Sequence, residues 1–391
     1  MKIVHIVPKA PYNDNWGYQD NLLPKYQRKM GHEVTVITTN TMQQDGKIIN
    51  TACASYTLED GVNVIRRKRK KYFNRILTNL TSKIQVYDIL KTINPDLIFY
   101  HGLESTTIYD VVRYKKNNKP ECIIVEDNHA DYNIGRDDRT WRDKVIRSFY
   151  RFINKTTIRY VSRVYGVTPW RKEYAEKFFG IPASKTDVLI MGADDEKIEF
   201  KNRKNIRAAI RKKYAIGEDE FLIVSGGKLD EKKKIIELIE ASKYLSNVRI
   251  LIFGQVNETL KDRYDRIINE YSKVISIGWI ASDSVYDFFF AADLVVFPGQ
   301  HSVLWEQACA SKTPCLFARW PGMEHVNCGG NARFIDDLTV EGIAEEIKKL
   351  IFTSDYYLMK KMQNLKKQMF SYTVQLQRNL LNALRKNHEY E

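Results

Sequence analysis

Two glycines followed by a dense run of lysines, "GGKLDEKKK" over residues 226–234, are the first residues whose types point to chemistry. Gly226 and Gly227 let the backbone turn and come close to a ligand. Lys228, Lys232, Lys233 and Lys234 then gather ammonium groups where a helix is expected to start. Cations at the positive end of a helix dipole call for a compensating anion, and a diphosphate would supply one. The other reading is a solvated basic turn, since the full phosphate-loop pattern is missing. A second group lies in "PGQHSVLWEQ", 298–307. Pro298 and Gly299 turn the chain, Ser302 is a good N-cap type, and a helix is expected from near Ser302 or Val303. Its first amides would form another anion site. Glu306, one turn in, either accepts from ribose hydroxyls or complements the dipole at the surface. The third group is histidine: His101 in "FYHGLES" and His129 in "IVEDNHADY" each follow an expected strand end. A lone histidine is more often structural, but two at adjacent strand ends suit a ligand site. Glu126, Asp127 and Asp131 stand beside His129 as candidates for hydroxyl contacts.

The elements that must position these residues alternate regularly. Strands are expected at 2–7, 33–38, 61–67, 96–100, 122–126, 163–168 and 186–191, with helical patterns between several of them. Gly31 is placed to terminate the first helix. The series restarts with strands at 221–227, 248–254, 274–279, 293–299 and 314–319. Short, nearly continuous apolar strands separated by helices imply parallel sheets covered on both faces. The expected architecture is therefore α/β, with two doubly wound (Rossmann-like) domains facing a cleft and ligands at the carboxyl ends of the strands. The expected domains span 1–195 and 196–370, with a charged linker near 195–206 and a C-terminal helix over 371–391 packing back on the first domain.

Bulk properties narrow the class. The chain has 391 residues, 62 Lys plus Arg against 48 Asp plus Glu, and a net charge of +14, which favours anionic partners. No helix-turn-helix, zinc-finger or RNA-recognition signature accompanies that charge, so nucleic acid is not an expected partner. Five scattered cysteines form no close pair, which argues against a disulfide framework or structural zinc and for a reducing cytoplasm. The N-terminus reads as a first strand rather than a signal peptide. No stretch approaches ~18 uninterrupted apolar residues. In "WRDKVIRSFYRFINKTTIRYVSR", 141–163, Arg147, Arg151, Lys155, Arg159 and Arg163 recur every four residues. They fan across one side of a helix, while Ile146, Phe149, Tyr150, Ile153, Tyr160 and Val161 take the other. Val145, Phe152 and Ile158 are the exceptions. With "RRKRKK" at 66–71, the cationic side makes a basic surface suited to peripheral contact with an anionic membrane at its inner face.

Taken together, these segments resemble the B-type-fold, family-4 group of retaining, nucleotide-sugar-dependent glycosyltransferases, over most of the chain. "GGKLDEKKKIIELIEA" resembles the family's Gly-Arg-Leu…Lys-Gly segment, with Lys228 and Lys233 at the positions of the cations that hold the donor diphosphate. "VLWEQACASKTPCLF" resembles the helix carrying the second Glu of the paired-Glu motif, which puts Glu306 at the ribose position. "NDNWGYQDNLLPKYQRKMGHEVTVIT" resembles the N-terminal glycine loop and helix, placing Gly17 at the cleft. "VYGVTPWRKEYAEKFFGIPASKTDVLIMGAD" resembles the segment closing the first domain, ending at Gly192 and Asp194. His129 resembles the active-site histidine near the donor sugar, and His101 a histidine on the acceptor side. Two departures stand out. Counting back from Glu306 by the family's spacing lands on Pro298, so the first Glu is absent and its loop reads as shortened, leaving Gln300, His301, Ser302 and Val303 for the donor. Lys228 also replaces an arginine fork with a point charge.

The resemblance implies transfer of a sugar from a nucleotide diphosphosugar, UDP-sugar first, to a hydroxyl of a glycan, lipid-linked or anionic polymer acceptor in cell-surface polysaccharide synthesis. The expected catalytic residues are His129, Lys228 and Lys233. Gly226, Gly227, Gln300, His301, Ser302, Val303 and Glu306 are expected to bind donor, and Gly17, His101 and Asp131 acceptor. No cofactor and no metal are expected beyond the diphosphosugar co-substrate, because no divalent-metal site stands out. The alternatives are a non-catalytic partner subunit, which the missing Glu would permit, and a nucleotide-sugar epimerase, which would need carboxylates for proton abstraction.

Overall fold

The computed structural model describes residues 1–44, 47–132, 140–198, 202–351, 353–366 and 370–373. They fall into two compact units, the first running from Met1 to Ile190 and the second opening at Met191. Beyond residue 373, the C-terminal helix expected over 371–391 lies outside the described residues.

The first unit is built on β1 (Lys2–Val7), β2 (Glu33–Thr39), β5 (Ser55–Thr57), β6 (Asn63–Arg67), β7 (Leu97–His101), β8 (Ile123–Asn128), β9 (Arg163–Gly166) and β10 (Thr186–Val188). A separate hairpin, β3 (Thr41–Gln44) and β4 (Lys47–Asn50), stands beside them. The sheet order is β10-β9-β8-β7-β1-β2-β6-β5, parallel except at the β5 edge. Its helices are α1 (Gln19–Lys29), α2 (Arg75–Thr81), α3 (Tyr87–Ile93), α4 (Ile108–Asn117), α5 (Trp141–Thr157) and α6 (Pro169–Lys177). Val4, Ile6, Ile98, Ile124 and Val164 on the strands pack with Leu90, Val111, Tyr150, Ile153 and Tyr174 on the helices, all buried. Each large apolar side chain so buried contributes roughly 1.5–3 kcal/mol before entropy is counted. Gly31, with φ +88°, follows the end of α1 as expected.

The second unit carries a six-stranded parallel sheet of β11 (Phe221–Leu229), β12 (Val248–Val256), β13 (Val274–Ser276), β14 (Leu294–Phe297), β15 (Cys315–Ala318) and β16 (Ala332–Ile335). The order is β13-β12-β11-β14-β15-β16. Its helices are α7 (Arg203–Lys213), α8 (Ile235–Ala241), α9 (Glu258–Glu270), α10 (Val285–Ala291), α11 (Leu304–Ala310), α12 (Val340–Lys348) and α13 (Ser354–Lys366). Both sheets are doubly wound. In each, the strand order reverses about the first strand of the unit, between β7 and β1 and between β11 and β14, and ligands of such folds gather at the carboxyl ends beside those reversals. Among the described residues, no helix is long and apolar enough to cross a membrane.

Candidate active site

In the second unit the reversal falls where the two motifs emerge. Gly226 and Gly227 end the tightest part of β11. A Cβ on Gly226 would lie 2.4 Å from the Phe253 carbonyl oxygen, and Gly227 takes φ +116°. β11 runs on through Leu229, so Lys228 is an exposed strand residue rather than a helix-start residue. The lysine cluster likewise precedes the helix it was expected to open. Glu231–Lys233 is a single 3-10 turn, Asp230 Oδ1 accepts from the Lys232 amide at 3.0 Å, and α8 starts only at Ile235. The physical reason is Lys234, whose φ of +54° breaks the helical path between turn and helix.

The loop after β14 closes onto this turn. The Gln300 amide donates to the Lys232 carbonyl at 2.9 Å, and Lys233 Nζ donates to the Gln300 carbonyl at 2.6 Å. A Cβ on Gly299 would sit 2.3 Å from the Lys232 carbonyl oxygen, so this approach needs glycine. Trp320 Nε1 donates to the Gly299 carbonyl at 3.1 Å. Gly226, Gly227, Lys228, Lys233, Gln300 and His301 are thus gathered at one reversal point. α11 begins at Leu304 with Val303 as its cap residue and no side-chain cap, which corrects the expectation for Ser302. The carbonyl of Ser302, rather than its hydroxyl, is used: it accepts from the Trp305 amide at 3.0 Å.

Glu306 is internal rather than a surface carboxylate. It is fully buried, and its Oε1 accepts from His301 Nε2 and from His325 Nε2, each at 2.9 Å. Burial works against its charge, but the two imidazoles prevail and hold the carboxyl down at about 2. One oxygen of the carboxylate expected to take ribose hydroxyls thus fixes two rings, while its Oε2 is buried without a hydrogen-bond partner among the described residues. His325 was missed because it lies in an irregular segment, "GMEHVNCGG", with no periodicity to single it out.

In the first unit, His101 ends β7 at its reversal point and His129 follows β8. His101 Nδ1 lies 2.7 Å from Asp127 Oδ2, and His129 Nε2 lies 3.1 Å from the same oxygen. Asp127 Oδ1 accepts from the Gly102 amide at 3.1 Å. Burial opposes the Asp127 charge, but His101 and then His129 hold it well below the usual carboxylate range. Behind His101 the contacts continue to His5 and Gln27, residues that the sequence reading passed over. His5 interrupts the apolar run "KIVHIV" of β1, and a buried imidazole there required a partner; that was the available signal.

Of the residues expected at the acceptor, His101 is 6% and Asp131 2% exposed, and Asp131 Oδ2 accepts from Arg171 Nε at 3.1 Å. Gly17, at the entry to α1, is half-buried. Glu126 lies inside β8, and its carboxyl is pushed up to about 8 by burial and then by Asp127, which favours its neutral form. The His101–Asp127–His129 and His301–Glu306–His325 groups each bring three ligand-type atoms within 4.8 Å of one another. Their contacts of 2.7–3.1 Å are of hydrogen-bond length between imidazole nitrogen and carboxylate oxygen.

Comparison with known proteins agrees with this geometry. Residues 206–369 match the family described as glycosyl transferases group 1, and residues 22–197 match glycosyltransferase family 4. A processive diacylglycerol alpha-glucosyltransferase of Acholeplasma laidlawii is 25% identical over 268 residues, covering 61% of this chain and 77% of that protein. Sucrose-phosphate synthase from Thermosynechococcus elongatus superposes with a TM-score of 0.71 at 15% identity, covering 100% of this chain and 98% of that one. HepE of Anabaena, solved in complex with UDP and glucose, gives 0.70 at 14% identity, with 99% and 100% covered. With one family matched across each unit and both sheets wound as these folds require, the chain carries a glycosyltransferase family 4 region in its first unit and a glycosyl transferases group 1 region in its second, on the GT-B-type fold of a transferase enzyme.

Proposed function

We propose that the enzyme moves a hexose, glucose first, from a uridine diphosphosugar to a hydroxyl of a lipid-linked or glycan acceptor in cell-surface polysaccharide or glycolipid synthesis. The observation that carries this is the pinning of the 300–302 loop to the 232–233 turn at the β11/β14 reversal, which gathers cations and backbone donors at one place. The base and sugar are supported by HepE, solved in complex with UDP and with UDP-glucose, and the lipid acceptor by the diacylglycerol glucosyltransferase of Acholeplasma. Breaking the anomeric bond leaves negative charge on the β-phosphate. Lys228, Lys233 and the amides of 301–303 would stabilise it electrostatically, in the role a metal plays elsewhere. Retention of configuration belongs to the proposal. Glu306 serves the donor through His301, whose ring it holds, while His129 acts on the transferred sugar and Gly17 on the acceptor side.

Peripheral contact with an anionic membrane, at the cytoplasmic leaflet, is the second part. On the outer side of α5, Trp141, Val145 and Phe152 are exposed among Arg142, Lys144, Arg151 and Lys155. Phe73 and Ile76, at and within α2, are exposed as well. Tyr150 of α5 donates to the Leu80 carbonyl of α2 at 2.9 Å, so the two helices are neighbours. Apolar tips set among cations suit an interface better than a solvated face.

The test is product formation from UDP-, GDP- and ADP-glucose with diacylglycerol and with a soluble glycan acceptor, followed by mass spectrometry. Transfer from UDP-glucose that is unchanged by EDTA supports the proposal. Transfer that requires an added divalent cation, or conversion of donor to its epimer without acceptor, overturns it. Lys233→Ala should lower kcat on the order of 10²-fold, as loss of one charge-stabilising donor does.

A further inference from the structure

A continuous hydrogen-bonded chain crosses the interior of the first unit and ends on His129. Gln27 Oε1 of α1 lies 2.6 Å from His5 Nε2, His5 Nδ1 lies 2.9 Å from His101 Nε2, and His101 Nδ1 lies 2.7 Å from Asp127 Oδ2. Gln27, His5, His101 and Asp127 are all buried, whereas the His129 side chain is 38% exposed. Sheet pairing builds the chain. His5 lies opposite Phe99 and His101 opposite Asp127, and the rings of His5, Phe99 and His101 stack at 4.7–5.3 Å.

Counting protons gives the chain a direction. An ionised carboxylate only accepts, so His101 Nδ1 and His129 Nε2 must both carry hydrogen. Burial, and then His101, lower His5 to about 3, so His5 is neutral and donates through one nitrogen only. Two arrangements satisfy every contact. With the Gln27 carbonyl towards His5, each ring donates away from Asp127 as well, and His101 is an imidazolium. With the Gln27 amide turned over, His5 Nδ1 donates to a neutral His101. The two differ by one proton and one amide rotation. In both, His129 Nε2–H remains on Asp127.

We propose that Asp127, backed by His101, His5 and Gln27, is the positioning residue of the transferase, holding His129 by Nε2–H so that Nδ1–H is offered to an anionic or hydroxyl oxygen of the substrate. This rests on the assignment of His129 to the reacting sugar. Offering Nδ1–H while Nε2–H is engaged requires the imidazolium. Burial disfavours that charge, but Asp127 and then Asp20 of α1 favour it, against Arg171 of α6, and the net shift is upward. These three charges act most on His129, and His101, on the same Asp127 oxygen, is the titratable group beside it. The active form therefore exists below the raised pKa of His129, and activity falls as pH rises through it.

The experiment is a kcat pH profile of wild type and Asp127→Asn, with KM for UDP-glucose measured in parallel. The expected result is a kcat at least 10-fold lower at neutral pH, an alkaline limb moved down by about one pH unit or more, and KM changed less than threefold, since the second unit is untouched. An unmoved limb overturns the proposal. Because a buried substitution can impair folding, 15N-histidine NMR of the wild-type chain is the second measurement, with the His129 signal assigned by its loss in His129→Gln. A His129 ring that titrates above 6.5 and keeps Nε2 protonated supports the proposal; titration at or below 6.5, or a neutral Nδ1–H form, overturns it. Dialysis against EDTA should leave both readouts unchanged, and a change would overturn the proposal by giving these groups to a cation. If wild type transfers nothing yet His129 behaves as stated, the proposed function is what fails.

Discussion

A carboxylate without water is stable only where other groups replace its solvation, and Glu306 has two imidazoles doing so on one oxygen. Its folded value of about 2 lies below the ordinary 4.5, so the stabilisation is full above about 4.5 and is lost as pH falls towards about 2. The difference corresponds to roughly 3 kcal/mol, an upper figure. Glu306→Gln should therefore lower stability by about 1–3 kcal/mol at neutral pH and flatten the acid limb of a denaturation series between pH 5 and 2. An unaltered acid limb would show that the rings do not hold this charge. Around the site, sequence alone made the glycines, the lysines and the two strand-end histidines visible, because their types are costly to place without a ligand or partner. It did not reveal that Glu306 is internal. Helical spacing fixes direction around an axis, and both the core-facing His325 and the offset helix start come from tertiary packing.

At the level of elements, apolar runs located the strands well, since a buried parallel strand has nowhere to put polar residues. β16, "ARFI", and the β3–β4 hairpin, "TMQQ" and "KIIN", were passed over because they are short, and the hairpin strands lie largely at the surface. α5 follows its pattern as far as Thr157; Ile158–Tyr160 is a 3-10 turn and Arg163 opens β9, so Arg159 and Arg163 leave the helical stripe. Tyr150 and Ile153 are buried, Ile146 and Phe149 pack against the core, and the exceptional Ile158 joins them. The basic segment beside it is less uniform. Arg66 is buried, donating to the Tyr56 hydroxyl, the Tyr12 carbonyl and Asp14, so the surface charge there begins at Arg67. For the exposed cations of α5, each charge near an anionic bilayer contributes about 1 kcal/mol. Replacing both Lys144 and Lys155 with Ala should weaken sedimentation with phosphatidylserine-containing liposomes roughly 30-fold at low salt, and Trp141→Ala should weaken it at high salt too. Binding that is indifferent to these changes would dismiss the membrane face.

For the molecule as a whole, two separate cores imply two cooperative melting events. UDP at about 100 times its Kd should stabilise its own unit by about 2.7 kcal/mol. Calorimetry should accordingly show one transition rising with UDP while the other stays. The transition that moves should be assignable to the second unit by its loss of response in Lys233→Ala. A UDP response in neither transition would detach the nucleotide from this chain.

Lys233 has one more consequence. Its ammonium is tethered to the Gln300 carbonyl by the fold's own contacts. A lysine immobilised on arrival of an anion gives up as much as 1.5–2 kcal/mol of rotamer freedom at that moment. Here that ordering is part of the fold, offset by the hydrogen bond it makes, so the receptor's shape is set in advance.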